Sequence, residues 1–424
     1  MPSPFRRAAV IVFALALAFS AFAQEQTLYR FHGAGDGSNP ISALIADGAG
    51  NLYGTTEFGG ASFYGTVFQL VPPKSGGAWT ENTLYSFSNT GDGARPTAGL
   101  VFDISGNLFG TTSDSAAGGF GEVFELSPAN GSWTYQVLYS FRGESDGSGA
   151  NGPLLVDSAG NLFGSTATSV YELSPPASGG NWTFTLLHGF HCCTHDGWSA
   201  VGNLARDSQG NLYGATLWGG YEGNPNCGSV GCGTVFALSP PARQGDPWSE
   251  KVIHYLGLGK DGLNPTGGVS LDSQGNLYGT TYSGGTKGGG TVWKLAPQSD
   301  GTWAETVLHN FDYGFGGGAP QSTPILDSAG NLYGTATFGG NRCIYNGTAY
   351  GCGVVFELSP GTNGSWTETD LYRFLIGIDT PKQPQAGLLF DQHGNLYGTT
   401  TWGGFNACTG DGSNGCGTVF RILR

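Results

Sequence analysis

Seven copies of one motif constrain this chain more than any other feature. The motif reads Asp-x-x-Gly-Asn-Leu-[Tyr/Phe]-Gly. It starts at Asp47, Asp103, Asp157, Asp207, Asp272, Asp327 and Asp391, at intervals of 50 to 65 residues. A length of 424 residues would ordinarily suggest two or three domains. Self-similarity at a period above ~40 residues overrides that expectation and points to a propeller or a solenoid array.

Each unit holds four strand-like runs, clearest in the second copy at residues 97–103, 107–112, 121–127 and 133–141. The runs are rich in Val, Leu, Thr and aromatics and are bounded by Gly, Pro, Asn or Asp. No window sustains a helical period. Four short antiparallel strands make one propeller blade. The chain ends separate a ring from an open array. The seventh unit has only three runs, at 385–391, 395–400 and 417–423. A spare fourth-strand ending, Thr27-Leu28-Tyr29-Arg30-Phe31, stands near the N-terminus and matches Leu84-Tyr85-Ser86-Phe87. The expected fold is therefore all-β: a seven-bladed β-propeller of four-stranded antiparallel blades. Residues 27–31 complete the last blade and remove the exposed edges of an open sheet.

Composition agrees. There are 76 glycines, 13% aromatic and 11% charged residues, a turn-rich and apolar mixture unlike a disordered chain. The N-terminus reads as an export signal spanning residues 1–23. It has Arg6 and Arg7, an apolar stretch at 8–22, and a small-x-small site at Ala21-Phe22-Ala23. The apolar stretch is shorter than the ~20 residues a membrane-spanning helix needs. Residues 24–424 are then a single propeller domain, extracellular or periplasmic and expected to be monomeric. Removing the signal moves the net charge from −14 to −16. An acidic, sparsely charged surface argues against nucleic acid and against membrane insertion.

The Asp-x-x-Gly-Asn segment joins strands one and two. Gly supplies positive φ, and Asp accepts backbone N–H groups in an Asx-type turn. The Gly after the aromatic is expected to admit close approach of the neighbouring sheet. A second turn signal joins strand four to the next strand one, around Asp36, Asp92, Asp146, Asp196 and Asp261. The sixth and seventh repeats lack it. Each loop offers one or two acidic side chains, whereas calcium needs six to eight oxygens, usually from several. No cofactor or metal is expected, a structural calcium ion being the one cofactor these loops leave open. His188, His254 and His309 replace the fourth-strand Tyr and read as packing residues.

Strand order places the 2–3 and 4–1 loops on one face of the ring and the uniform 1–2 turns on the other. The long 2–3 loops of units four, six and seven each carry two cysteines: Cys227 and Cys232, Cys343 and Cys352, Cys408 and Cys416. In an exported protein these read as loop-stapling disulfides. Cys192 and Cys193 are adjacent, and three readings stay open: a vicinal disulfide, two thiols, or a metal site with His191 and His195. The vicinal disulfide is the expectation adopted. Aromatics open several of these loops, at Phe58, Trp218, Tyr282, Phe338 and Trp402. Together with the five loop aspartates they form the candidate binding set, suited to stacking on sugars; packing caps for the blades are the alternative.

Units such as Leu84-Tyr85-Ser86-Phe87, Ala98-Gly99-Leu100-Val101-Phe102-Asp103, Gly106-Asn107-Leu108-Phe109-Gly110-Thr111-Thr112 and Val123-Phe124-Glu125-Leu126-Ser127-Pro128 resemble the bacterial exported Gloeo/Verruco (GloVer) tandem-repeat family. The resemblance covers all seven repeats and implies a propeller-like, exported protein with no activity to carry over. Members often end in a surface-sorting segment, and this chain ends within a strand. The Gly-Asn-Leu-[Tyr/Phe] signature is also similar to strands of streptogramin-lyase-like and sensor propellers. The functional expectation is a non-catalytic binding or interaction propeller whose partner is a glycan or a cell-envelope protein. The enzymatic alternative is a propeller-type lyase or glycoside hydrolase, which needs converging carboxylates or a His-held metal. A structural envelope protein without a discrete ligand is a third reading.

Overall fold

The computed structural model describes residues 23–115, 119–143, 146–177, 179–191, 195–220, 227–243, 245–341, 343–345, 348–349, 351–377, 379–405, 408 and 415–424. Cys192 and Cys193 lie outside these residues. Seven antiparallel sheets form the blades of a closed ring. Blade one runs through Ile45–Ala46, Leu52–Thr56, Thr66–Val71 and Thr80–Ser86. Blade two follows with Val101–Phe102, Leu108–Thr112, Glu122–Ala129 and Ser132–Ser140. Blade six splits its first strand into Gly318–Pro320 and Ile325–Leu326, both paired with Leu332–Phe338.

The chain closes as its ends suggest. Gln24–Arg30 is the fourth strand of blade seven, outside Thr418–Leu423, Leu396–Thr400 and Leu389–Phe390. Its register runs from Gln24 opposite Leu423 to Arg30 opposite Thr418, with a bulge between Thr27 and Tyr29. Phe31 then donates its N–H to the Gly417 carbonyl at 3.1 Å. Around the axis, Thr399 of blade seven donates to the Ser42 carbonyl ahead of blade one at 3.3 Å. Thr55 makes the same bond to Ala98 at 3.0 Å, and Thr335 to Ala386 at 3.0 Å.

These axial bonds correct one expectation. Residues 97–103 were expected to form a strand, yet only Val101–Phe102 pairs within the blade. Residues 97–100 line the central channel instead, and the Ala98 carbonyl serves the neighbouring blade. The third strand also begins one residue later than the sequence suggests, because Gly121 sits at φ 92°.

The repeated motif works as a turn in all seven copies. Asp47 Oδ1 accepts the N–H groups of Ala49 and Asn51, both at 2.9 Å. Its Oδ2 accepts the Asn51 amide at 2.7 Å and the Tyr53 hydroxyl at 3.0 Å. Burial opposes ionisation of Asp47, but the bonds from Asn51, Tyr53 and Ala49 outweigh it and hold the carboxyl below its usual range. Gly50 supplies φ 82° with open space around it.

The glycine after the aromatic has a different task from the one expected. Gly110 pairs with Phe124 across the same blade, and a Cβ on it would lie 2.4 Å from the tip of the Phe124 ring. Gly54 with Phe68 and Gly398 with Phe420 repeat the arrangement. The glycine makes room for its own blade's third-strand ring, not for the next sheet. That ring then meets the aromatic that ends the preceding blade, edge to face: Phe31 on Phe68 at 5.1 Å, Phe87 on Phe124 at 5.4 Å, Phe374 on Phe420 at 5.2 Å. A tryptophan at the start of the fourth strand covers the motif aromatic of the preceding blade, as in Trp133 on Tyr53 and Trp303 on Tyr213. Ala23 stands at this place in blade seven, and the Arg424 guanidinium covers Tyr333 at 4.5 Å.

Candidate functional site

The 2–3 and 4–1 loops are anchored by a clasp that the sequence reading missed. The residue three positions after each Asp-Gly aspartate, or its counterpart, takes a left-handed backbone: Asn39, Arg95, Gly149, Ser199, Asn264, Ala319 and Gln383, with φ between 52° and 63°. Each donates its N–H to the carbonyl two residues ahead of the preceding blade's third strand. Asn39 bonds Cys416 at 3.0 Å, Asn264 bonds Cys232 at 2.9 Å, and Gln383 bonds Cys352 at 2.8 Å. The available signal was the proline that follows five of the seven residues. Cys227–Cys232, Cys343–Cys352 and Cys408–Cys416 are all disulfide-bonded. In each, the second cysteine is the clasp acceptor, so the disulfides staple the insertions at the inter-blade joint.

The five loop aspartates turn back towards the fourth strands. Asp36, Asp146 and Asp261 are buried, and Asp92 and Asp196 are half-buried. Asp36 accepts the His32 N–H at 3.0 Å and the Tyr29 hydroxyl at 2.7 Å. Asp92 accepts the Ser88 N–H at 2.8 Å and the Tyr85 hydroxyl at 2.9 Å. Asp146 accepts the Arg142 N–H at 2.9 Å and the Tyr139 hydroxyl at 2.7 Å. Asp261 accepts the Gly259 N–H at 3.3 Å and meets His254 Nε2 at 3.0 Å. Asp196 accepts the Gly197 N–H at 2.7 Å and meets His188 Nε2 at 3.2 Å. Burial works against the Asp92 charge, but hydrogen bonds from Ser88, Tyr85 and Thr90 outweigh it and lower the pKa. Burial first, then the Asp146 carboxylate, pushes the Tyr139 hydroxyl up to about 12. His188 and His254 therefore inherit the tyrosine's hydrogen bond to the loop aspartate, beyond the packing role expected for them. His309 has no such aspartate, and burial, assisted by Lys287, lowers it to about 4.

Four of the five candidate aromatics share one register position. Phe58 pairs with Ser38, Trp218 with Trp198, Phe338 with Gly318 and Trp402 with Lys382, each where the loop face begins. Phe338, Trp402 and Phe58 belong to the consecutive blades six, seven and one. All are half-buried, and the Arg95 guanidinium lies 5.4 Å over Phe58. Tyr282 is set apart. Ser283 holds the equivalent position opposite Leu263, so Tyr282 presents the other side of its strand.

What the sequence did not single out is the apolar surface around them. Of the 12 exposed large hydrophobic side chains among the described residues, 10 lie in 2–3 or 4–1 loops; only Ile104 and Leu186 do not. The most exposed of the 10 are Phe315, Ile376, Leu258 and Leu375. Phe315, Leu375 and Ile376 stand in the two 4–1 loops that have lost the Asp-Gly turn, and that loss was the readable signal.

The channel along the axis draws on all seven blades and encloses about 370 Å³. Its lining is Ala, Gly, Ser, Thr, Asn, Gln, Pro, Ile and Leu, among them Asn151, Asn203, Gln321 and Gln385. Such a surface can hydrogen-bond a ligand but supplies no side chain for proton transfer at neutral pH.

Residues 8–172 and 166–347 match the profile of the Gloeobacter/Verrucomicrobia repeat. No curated protein matches the sequence. Among solved structures, virginiamycin B lyase from Staphylococcus aureus is similar at a TM-score of 0.53 and 10% identity, covering 95% of this chain and 99% of that one. A protein from Lactobacillus plantarum is similar at 0.50 and 12%, covering 88% and 99%. At these identities the likeness is one of fold.

Proposed function

The chain belongs to the Gloeobacter/Verrucomicrobia repeat family, and from that footing we propose that it is an exported, non-catalytic binding propeller engaging its partner through the insertion face. The observation that carries this reading is the one-sided distribution of exposed apolar side chains. Exposed apolar side chains gathered on one side of a protein suit an interaction surface, and 10 of the 12 such residues lie in the loops of this face. The mixture of rings with Val230, Leu258, Leu375 and Ile376 favours a cell-envelope protein over a glycan. Aliphatic side chains add to a protein interface but do not stack on sugar rings. Export rests on the signal-like residues 1–23 and on the three disulfides, which form in oxidising compartments. No helix among the described residues is long and apolar enough to cross a membrane.

The test compares two surface variants on purified envelope proteins and on a glycan array, with turnover assayed on every glycan hit. Leu258→Ser/Phe315→Ser/Ile376→Ser should abolish binding, while Ile104→Ser/Leu186→Ser should leave it intact. Glycan binding that depends on Trp218 and Trp402 would move the partner class to carbohydrate. Bond cleavage would overturn the non-catalytic reading, and equal binding by both variants would overturn the assignment of the face.

A further inference from the structure

Where one blade's fourth strand faces the next, the ring repeats a single junction seven times. In two of them aromatic rings stack: Tyr85 on Tyr135 at 4.0 Å and Tyr139 on Phe184 at 4.6 Å. At the Tyr135 position the next blade carries glutamate in five of the seven junctions, opposite all three histidines and opposite Tyr29 and Tyr372. Two of the histidine junctions also keep the loop aspartate. His188, Asp196 and Glu250, and likewise His254, Asp261 and Glu305, bring one imidazole nitrogen and two carboxylate oxygens within 4.8 Å of one another.

Hydrogen bonding alone leaves this arrangement incomplete. The nitrogen facing the carboxylates carries at most one proton. His188 Nε2 is 3.2 Å from Asp196 Oδ2, and a proton given there cannot also serve Glu250. Glu250 Oε1 is buried with no hydrogen-bond partner, a costly state for a charged group. A divalent cation would satisfy all three donors at once. One imidazole with two carboxylates suits Zn²⁺ or Mn²⁺; an all-oxygen set would suit Ca²⁺ or Mg²⁺. The side chains of His254 and Asp261 are 18% and 3% exposed, and Glu305 closes their site from the exposed side.

We propose that these two junctions are a pair of transition-metal sites of the Zn²⁺ class, tying blades three, four and five together beside the disulfide-bearing insertion of blade four. His188 and Asp196 reach the site from blade three and the loop leaving it, and Glu250 from blade four. His254, Asp261 and Glu305 repeat this one junction further on. His191 Nδ1, 3.8 Å from Asp196 Oδ2, is placed to add a donor at the first site.

Chelator-stripped protein titrated with ZnCl₂, and separately with MnCl₂ and CaCl₂, tests the proposal by calorimetry and melting. Two equivalents of Zn²⁺ should bind, tighter than Ca²⁺, and raise the melting temperature. His188→Tyr and His254→Tyr should each remove one equivalent, and the double variant both. Tyrosine occupies this position in four blades and bonds the same aspartate in three of them, so these variants should fold; their metal-free melts verify it. No saturable Zn²⁺ binding, or two equivalents persisting in the folded double variant, would overturn the assignment.

Discussion

If Gln24–Arg30 closes the ring, the residue ending that strand should matter as much as its counterpart in an uninterrupted blade. Phe31 is 0% exposed and meets Phe68 at 5.1 Å and Tyr29 at 5.2 Å. Phe87 is 0% exposed and meets Phe124 at 5.4 Å and Tyr85 at 5.1 Å. Truncating a buried phenylalanine costs ~3–5 kcal/mol, counting lost transfer energy and the cavity left behind. Phe31→Ala and Phe87→Ala should therefore destabilise equally within ~1 kcal/mol, context being the main source of spread. Removing residues 24–31 should do worse. It strips the register from Gln24–Leu423 to Arg30–Thr418 and leaves Thr418–Leu423 as an open edge prone to association. The assay is urea unfolding followed by tryptophan fluorescence, with midpoints compared only where the slopes agree, since a ring this large need not unfold in one step. The reasoning fails if Phe31→Ala stays within ~0.5 kcal/mol of the parent, the range of ordinary surface changes, while Phe87→Ala loses the full amount.

Gly110→Ala should cost ~1–3 kcal/mol by overpacking, and Phe124→Leu in the same chain should recover part of it; additivity in the double-mutant cycle would refute the steric account. Cys408→Ser/Cys416→Ser opens a short loop, worth roughly 2–3 kcal/mol, and should lower the melting temperature below that of the oxidised parent; no change would mean the staple does not hold the Asn39 clasp. Stability should fall as pH rises. Burial lifts Glu81 and Glu122 to about 7 and Glu368 to about 8, from 4.5, so their contribution is full below 4.5 and lost through those folded values. The depressed turn aspartates and His309 act at the other limb, their contributions lost as pH falls through the folded pKa values. Glu122→Gln should flatten the alkaline limb of a melting-temperature profile, and a profile unchanged by it would discount the burial of this carboxyl.

Blade number, closure and stapling were legible in the sequence because each rests on local pattern. Seven Asp turns count the blades, and the ending at residues 27–31 has an obvious place only in a ring. A cysteine just ahead of a third-strand glycine must close its own loop. What was not legible depends on neighbours brought together by register. Residues 97–100 look like strand because apolar alternation cannot distinguish a ladder within a blade from carbonyls offered across the axis. The partner of Gly110 is a ring on the facing strand, so the glycine's reason lies outside its own motif. The one-residue offset of Tyr282 from the Phe58 position is visible in the sequence, but that it turns the ring to the other side of the strand follows only from Ser283 pairing opposite Leu263. His188 and His254 looked like tyrosine substitutes because Glu250 and Glu305 belong to the following repeat. Leu375 and Ile376 carry no repeat signal, because they stand where the repeated loop chemistry is absent.

That absence has a structural basis. The clasp, not the Asp-Gly turn, secures each 4–1 loop to the preceding blade. Ala319 still bonds Gly289 at 2.8 Å and Gln383 still bonds Cys352 at 2.8 Å, although neither loop retains the repeat aspartate. An aspartate in the turn satisfies backbone N–H groups and the fourth-strand hydroxyl, and it draws the loop inward, as Asp36 does with Tyr29 and His32. In the two loops where the clasp holds without it, Phe315, Leu375 and Ile376 are exposed at 69%, 51% and 65%, and Leu258 is exposed at 57% in a loop that keeps its aspartate. The two loops freed from turn chemistry flank blade six, and blades six and seven carry two of the three disulfide-stapled insertions. The ring thus keeps its sevenfold constraints on the axis, the turns and the inter-blade core, and departs from them most in the loops that flank blade six.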